Sequence, residues 1–194
     1  MITFVLFFRL KQRHLKNLFM KKTIPLLLIF LLPVIANGQF NVKRDSLHYY
    51  KFLAQAEFDM IGDYASSSYY LTKAIRLDPG DYELYEQRAI AKSFLEDNKG
   101  AENDLSIVLQ LDPGNFAAYA GRAYARVKLK KYHEAIQDFN FLIQSEPAFQ
   151  GYYLDRGLLK LELKDLDGAC SDFRQATTLG SATGYRNLMD YCYR

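Results

Sequence analysis

The chain is poor in the residues and motifs on which most catalytic and metal sites are built. It has three histidines and two cysteines in 194 residues, and no histidine stands in an HExxH spacing or near a cysteine pair. A P-loop, a GxSxG nucleophile turn and a glycine-rich phosphate cradle are also missing. We therefore expect no metal, no cofactor, no small-molecule substrate and no enzyme activity.

The chain also lacks a concentration of positive charge after residue 38. Its formal charge of +3 comes from 25 basic and 22 acidic residues, but six of the basic residues and none of the acidic ones precede residue 39. The 19 basic residues that remain are outnumbered by the acids, which gives about −3. Nucleic-acid binding needs a concentrated basic face, so we expect no nucleic-acid partner.

Long apolar runs are missing as well. The apolar stretch over residues 24–35 has about a dozen residues and contains two prolines, so it is too short to span a bilayer comfortably. Two lysines precede it and small residues follow it, which is typical of a secretory signal over residues 20–38. The pattern predicts cleavage after Gly38 or after Ala36, and export to the periplasm or cell envelope.

The first 19 residues do not fit a simple signal, because a second short apolar run and a basic run stand before Met20. The preferred interpretation is that translation starts at Met20 and that residues 1–38 are a leader. The alternative is one long leader or an uncleaved segment that tethers the protein to a membrane. Residues 39–47 are interpreted as a short polar tether.

A period of 34 residues organises the rest of the chain. The run Leu-Asp-Pro-Gly over residues 77–80 recurs over 111–114, and Pro147 stands 34 residues after Pro113. Two helical segments in each period predict a helix–turn–helix solenoid. The repeats are placed at 48–81, 82–115, 116–149 and 150–183, with first helices at about 47–61, 82–95, 116–129 and 150–163 and second helices at about 64–77, 98–111, 132–145 and 166–179.

The residues that recur in register resemble the tetratricopeptide repeat family, in an exported bacterial form. An aromatic residue stands early in the first helix, small residues stand where the helices cross, and a proline closes each unit. These columns are Tyr85, Tyr119, Tyr153; Ala89, Ala123, Gly157; Ala101, Ala135, Ala169; and Pro79, Pro113, Pro147. The resemblance covers residues 48–183 and implies an all-α, right-handed α-solenoid.

The resemblance also implies a function. Tetratricopeptide arrays bind a peptide or protein partner in a concave groove lined by their first helices, so we expect a non-catalytic interaction scaffold or adaptor of unknown partner. An enzyme with a site at the edge of the array is the less favoured alternative. The family's carboxylate clamp for cytosolic chaperone tails is missing, because Phe52, Ala56, Ala117 and Gly121 stand at its positions.

The groove is predicted to change from mixed polarity in the first two repeats to apolar in the last two. The candidate partner-binding residues are Phe52, Glu86, Ile90, Tyr124, Val127, Leu154, Leu158 and Leu161. Apolar side chains at helical spacing either form a ligand-binding patch or are covered by neighbouring helices, and the sequence leaves both open.

Two charged columns predict structural ion pairs. Arg88, Arg122 and Arg156 share one column, and Asp104, Asp138 and Asp172 share another sixteen residues later. The first repeat has Ala54 and Tyr70 at these places, so both partners are absent together. Pairing within each repeat therefore fits better than pairing between repeats.

The last segment, residues 184–194, is predicted to cap the array, because repeat arrays need a cover for their terminal apolar face. Helical spacing places Tyr185, Leu188, Met189 and Cys192 on its packing face. Cys170 lies on the helix that this cap should cover. The two cysteines form either a disulfide or two separate buried thiols, and both alternatives remain open.

Overall fold

The computed structural model describes residues 42–193, which form consecutive helix pairs. The helices are α1 (Val42–Ala56), α2 (Tyr64–Leu77), α3 (Tyr82–Phe94), α4 (Asn98–Leu111), α5 (Phe116–Lys128), α6 (Tyr132–Ser145), α7 (Gln150–Glu162), α8 (Leu166–Thr178) and α9 (Ala182–Asn187). Short π-helical turns, Glu57–Ile61 and Leu188–Cys192, continue α1 and α9. Each helix packs chiefly against its neighbours in the sequence, so the expected all-α solenoid is confirmed.

Side-chain caps begin the second helices of three repeats. The carboxylates of Asp63, Asp97 and Asp165 each accept a hydrogen bond from the backbone N–H three residues later. Such a cap satisfies a donor that has no partner within the helix. In the third repeat Lys131 occupies this place and makes no side-chain cap.

The first helix begins earlier than the sequence pattern predicts. Residues 42–47, which were expected to belong to a tether, are helical. Leu47 and Tyr50 pack against the core cluster that contains Ala54, so continuing the helix toward the N-terminus buries additional apolar surface. The expected leader, its cleavage sites and Met20 lie outside the described residues. Within residues 42–193, no helix combines the length and the apolar character needed to cross a membrane.

Small residues allow the helices of each pair to approach closely. Ala101, Ala123, Ala135 and Ala169 are completely buried. At Gly157 an added Cβ would lie 2.7 Å from the ring of Phe173, which is closer than two carbon atoms pack. Larger residues in these columns would therefore separate the helices and open the core.

The C-terminal cap packs through a different face from the one predicted. Tyr185 and Met189 are 55% and 41% exposed, whereas Leu188 is buried. The contact is set by Gly184, where an added Cβ would lie 2.9 Å from the Cβ of Ala176 on α8. Because the glycine side of α9 makes this close approach, the neighbouring Tyr185 points away from α8, and the prediction that Tyr185 and Met189 pack inward was wrong.

A disulfide joins the cap to the last repeat. Cys170 on α8 and Cys192 in the π-helical turn are bonded, and their Cα atoms lie 5.8 Å apart. Of the two alternatives left open by the sequence, the structure contains the disulfide. It closes a loop with a sequence separation of 22 and so holds the end of the chain against α8.

Candidate functional site

The first helices of the four repeats, α1, α3, α5 and α7, form the surface that we call the first-helix face. One large apolar side chain on each of these helices is at least 40% exposed: Phe52, Ile90, Tyr124 and Leu158. A single exposed apolar side chain is ordinary on a protein surface. One in each successive repeat indicates a surface suited to contact with another molecule.

Three other residues predicted to line the groove belong at least partly to the core. Val127 packs against the buried cluster that contains Phe139. Leu154 and Leu161 pack against the cluster that contains Phe173. The two interpretations left open by the sequence therefore apply to different residues, because Leu158 is exposed while its neighbours at helical spacing are partly covered.

The remaining candidate, Glu86, is an unpaired acid on α3. Burial raises the pKa of its carboxyl group above 4.5, and the negative charges of Glu83 and Asp112 raise it further. Within the part of the chain that the structure describes, no cation pairs with Glu86. The second repeat therefore presents uncompensated negative charge on the first-helix face.

A hydrogen bond joins the first helices of the third and fourth repeats. The hydroxyl of Tyr124 on α5 donates to Oδ2 of Asp155 on α7 at 2.7 Å. Burial raises the pKa of Tyr124, and the bond to Asp155 raises it further, so the hydroxyl remains a donor. Burial also raises the pKa of Asp155, although the bond from Tyr124 acts against that shift. The bond fixes the position of a half-exposed aromatic ring on this face.

Each of the three arginine–aspartate pairs predicted from the sequence is formed within its own repeat. Arg88 Nη2 lies 2.6 Å from Asp104 Oδ1, and the equivalent distances in the third and fourth repeats are 2.7 Å and 2.5 Å. The aspartates are almost completely buried. The arginines also lie over the tyrosine three residues earlier, at 5.4 to 5.7 Å from the ring centroid.

A second cation in each repeat binds the same aspartate, and the sequence analysis missed it. Lys92, Arg126 and Lys160 lie 2.8 Å, 2.6 Å and 2.8 Å from the second carboxylate oxygen. They share a column four residues after the arginines, so the repeat register contained the signal. Each buried acid is thus held by two cations, which we call the charged cluster of that repeat.

The same arginines also connect neighbouring repeats. Nη1 of Arg88 donates to Thr72 at 3.1 Å, and Nη1 of Arg156 donates to Asn140 at 2.7 Å. The equivalent nitrogen of Arg122 lies 3.5 Å from Ser106. Each acceptor stands sixteen residues before its arginine, in the preceding repeat. Pairing to aspartate within a repeat and bonding to a polar side chain between repeats therefore occur together.

One further charged group spans the second and third repeats. Glu102 on α4 is buried and accepts hydrogen bonds from Lys131 at 2.7 Å and Lys99 at 3.0 Å. Burial favours the neutral acid, but the two lysines outweigh that effect and lower the pKa of Glu102 to about 2. These charged groups are paired with one another and buried at repeat junctions, so their geometry serves assembly of the array.

Metal-binding geometry was also examined across residues 42–193. No group of three or more histidine, cysteine, aspartate or glutamate side chains there is placed to hold a metal ion.

The fold is that of known tetratricopeptide proteins. MamA from Desulfovibrio magneticus superposes with a TM-score of 0.69 at 23% identity, over 77% of this chain and 85% of MamA. A tetratricopeptide repeat protein from Parabacteroides merdae gives 0.68 at 22% identity, over 76% and 60%. The first tetratricopeptide domain of Spaghetti (RPAP3), bound to the HSP90 peptide SRMEEVD, gives 0.56 at 25% identity, over 62% and 94%.

These similarities define the class of protein. The described residues form an array of tetratricopeptide repeats. No protein-family model and no curated protein matches the sequence.

Proposed function

We propose that this protein is a non-catalytic scaffold or adaptor that binds a peptide or protein partner on its first-helix face. The observation that carries this proposal is the recurrence of one exposed apolar side chain in each repeat, at Phe52, Ile90, Tyr124 and Leu158. The peptide-bound tetratricopeptide domain of RPAP3 supports the same use of the fold. Partly buried neighbours hold these side chains on a rigid array, which reduces the entropy lost on binding.

The partner differs from the acidic peptide in that RPAP3 complex. Small residues, Ala117 and Gly121, occupy positions where a carboxylate clamp would place its basic groups. The second repeat instead presents Glu83 and Glu86, whose mutual repulsion already raises the pKa of Glu86. An acidic peptide would meet like charge on this face.

We further propose that the array acts in the cell envelope after export. Residues 20–38 have the pattern of a secretory signal, and the Cys170–Cys192 disulfide suits an oxidising compartment. The alternative is a scaffold tethered to a membrane by a retained N-terminal segment. N-terminal sequencing of the protein isolated from its native cells decides between the two, because export with cleavage gives a chain that begins at residue 37 or 39.

Two neighbouring leucines provide a test of the binding face. Leu158 is 40% exposed, whereas Leu159 on the same helix is 5% exposed. We expect Leu158→Asp to keep the melting temperature close to that of the wild type while abolishing capture of the partner from envelope extract. Leu159→Asp should unfold the array, because it buries an unpaired charge at a loss of several kcal/mol. A folded Leu158→Asp variant that still captures the partner fully would contradict the proposal.

A further inference from the structure

The junction of the first two repeats contains an apolar pocket that opens on the first-helix face. Its volume is about 150 Å³, and its walls come from α1, α2, α3 and the π-helical turn after α1. The lining residues are Ala54, Gln55, Phe58, Ser67, Leu71, Gln87 and Ile90. A cavity of about this volume accommodates a benzene molecule, so the pocket has room for one apolar side chain of a partner.

The pocket occurs where the first repeat departs from the charged column pattern. Ala54 and Phe58 occupy the columns that hold Arg88 and Lys92 in the second repeat, and Tyr70 occupies the column of Asp104. The first repeat therefore has no charged cluster to fill the space between its helices and α3. Ala54 is too short to occupy the volume of an arginine, and the site becomes an apolar hollow.

The rim of the pocket carries polar and acidic groups. Gln55 and Gln87 lie at the pocket, and Gln55 donates to Asp59 on its own helix. Glu86 stands one residue before Gln87 and one helical turn before Ile90. Lys51, Arg88 and Lys92, the nearby cations on α1 and α3, pair with Asp81 or Asp104. The charge available to a ligand beside the pocket is therefore negative.

We propose that this pocket anchors the partner by one apolar side chain, and that a basic residue next to that side chain contacts Glu86. The occupant is an extended peptide segment with a leucine, isoleucine, methionine or phenylalanine beside a lysine or arginine. Apolar lining selects the anchor, and the unpaired acids select the neighbouring positive charge. Free side chains of Gln87 and Gln55 are placed to bond to the peptide backbone. The inference rests on the proposed function and specifies the partner's chemistry.

Selection from a displayed library of random nonapeptides tests the proposal with the full-length protein. Enriched peptides should share one large apolar residue with a lysine or arginine within two positions. A labelled enriched peptide is then titrated by fluorescence polarisation. Ala54→Leu fills the pocket from its floor and should raise the Kd about tenfold to a hundredfold, the range expected for losing burial of one apolar side chain.

Three further variants keep the test decisive. Ile90→Ser removes a partly exposed wall and should weaken binding even if Ala54→Leu disturbs folding. Glu86→Lys should weaken binding by reversing the charge. Ala65→Leu, at an exposed position on α2 outside the pocket, should leave the Kd unchanged.

Each outcome separates the pocket from the proposed function. Enriched peptides that bind Ala54→Leu and Ile90→Ser as tightly as the wild type, yet lose binding in Leu158→Asp, overturn the pocket and leave the binding face intact. Enriched peptides with acidic residues beside the apolar anchor also overturn the pocket proposal. A library that yields no peptide for the wild-type protein contradicts both proposals.

Discussion

Arg88 donates two hydrogen bonds to Asp104, from Nε at 2.8 Å and from Nη2 at 2.6 Å, across the helix pair of its own repeat. The same two-bond geometry recurs in the third and fourth repeats. Such a pair fixes the relative position of two helices, since both bonds form only when the guanidinium and carboxylate planes are aligned. Its net contribution to stability is limited because both charges lose water on burial.

Breaking a charged cluster should destabilise the array more than replacing it completely. Arg156→Ala leaves the buried Asp172 with Lys160 as its one remaining cation, and we expect a loss of about 2 to 4 kcal/mol in the free energy of unfolding. The triple variant Arg156→Met, Lys160→Met, Asp172→Leu removes all three charges and fills a similar volume. It should lose no more than about 1 kcal/mol. Urea denaturation at neutral pH measures both.

Asp172→Leu alone is the control for that comparison, because it leaves two cations facing an apolar side chain and should also be more destabilising than the triple variant. The second cation explains why all three positions must change. A double variant that kept Lys160 would retain a charge without its partner. The expectation fails if the triple variant is at least as destabilised as Arg156→Ala.

Acid should weaken the junction between the second and third repeats through Glu102. Folding lowers the pKa of this carboxyl group from 4.5 to about 2, so the ionised form is favoured in the folded state. Its stabilisation is therefore complete above about pH 4.5 and is lost as the pH falls toward 2. We expect a contribution of about 2 to 3 kcal/mol above pH 4.5 that disappears across this interval.

Glu102→Gln isolates that contribution. The variant should be less stable than the wild type at pH 7 and should approach it near pH 2 to 3, when both side chains are neutral. Glu134→Gln, which changes an exposed acid on α6, provides the matched control and should follow the wild type throughout. A difference between Glu102→Gln and the wild type that stays constant with pH would contradict the assignment.

The repeat register accounts for much of what the sequence could predict. The periodic columns gave the helix pairs, the buried small residues and the partners of Arg88, Arg122 and Arg156. Lys92 and Lys160 also lie in register, one helical turn after these arginines, so the complete charged cluster was readable from the same columns. Physical necessity links them, because a buried carboxylate can accept bonds from several donors.

Contacts that occur once were beyond the reach of the columns. Tyr124 reaches Asp155 across 31 residues, and Lys131 reaches Glu102 across 29. Neither spacing equals the repeat length, so these contacts depend on how neighbouring repeats are rotated. The orientation of the cap was missed for a related reason: helical spacing grouped Tyr185 with Leu188, but the close contact at Gly184 selected the packing side.

The turn between the two helices of each repeat provides a prediction about backbone strain. Gly62 in the first repeat has φ of 68°, while Glu96, Lys130 and Lys164 occupy the same column with φ of 61°, 58° and 63°. This left-handed conformation is unfavourable for residues with a Cβ. Gly62→Ala should lose about 1 kcal/mol, since no atom within 4 Å would contact the new methyl group and the loss is conformational.

The reverse change should have the opposite sign. Lys164→Gly removes the unfavourable left-handed conformation and should raise the free energy of unfolding, by less than about 1 kcal/mol because glycine gains freedom in the unfolded chain. Lys128→Gly, in the last turn of α5, is the matched control and should destabilise. Urea denaturation of the three variants checks the signs. Equal losses for Lys164→Gly and Lys128→Gly would show that the turn is not strained.

The disulfide between Cys170 and Cys192 should hold the C-terminal cap rather than the whole array. Its two ends lie on α8 and in the turn after α9, so reduction frees only the last helix. A closed loop of about 20 residues corresponds to a stabilisation of about 3 kcal/mol. Because Leu188 covers part of the cluster around Phe173, losing the bond should also expose that apolar surface when the cap opens. Hydrogen exchange on the oxidised protein and on Cys170→Ser, Cys192→Ser should show protection lost over residues 182–192 and retained in α3 to α6. The intact oxidised protein should have a mass lower by two hydrogens than its reduced form. Two free thiols on the folded, unreduced protein, or exchange that rises equally in every repeat of the variant, would contradict a disulfide that fastens the cap.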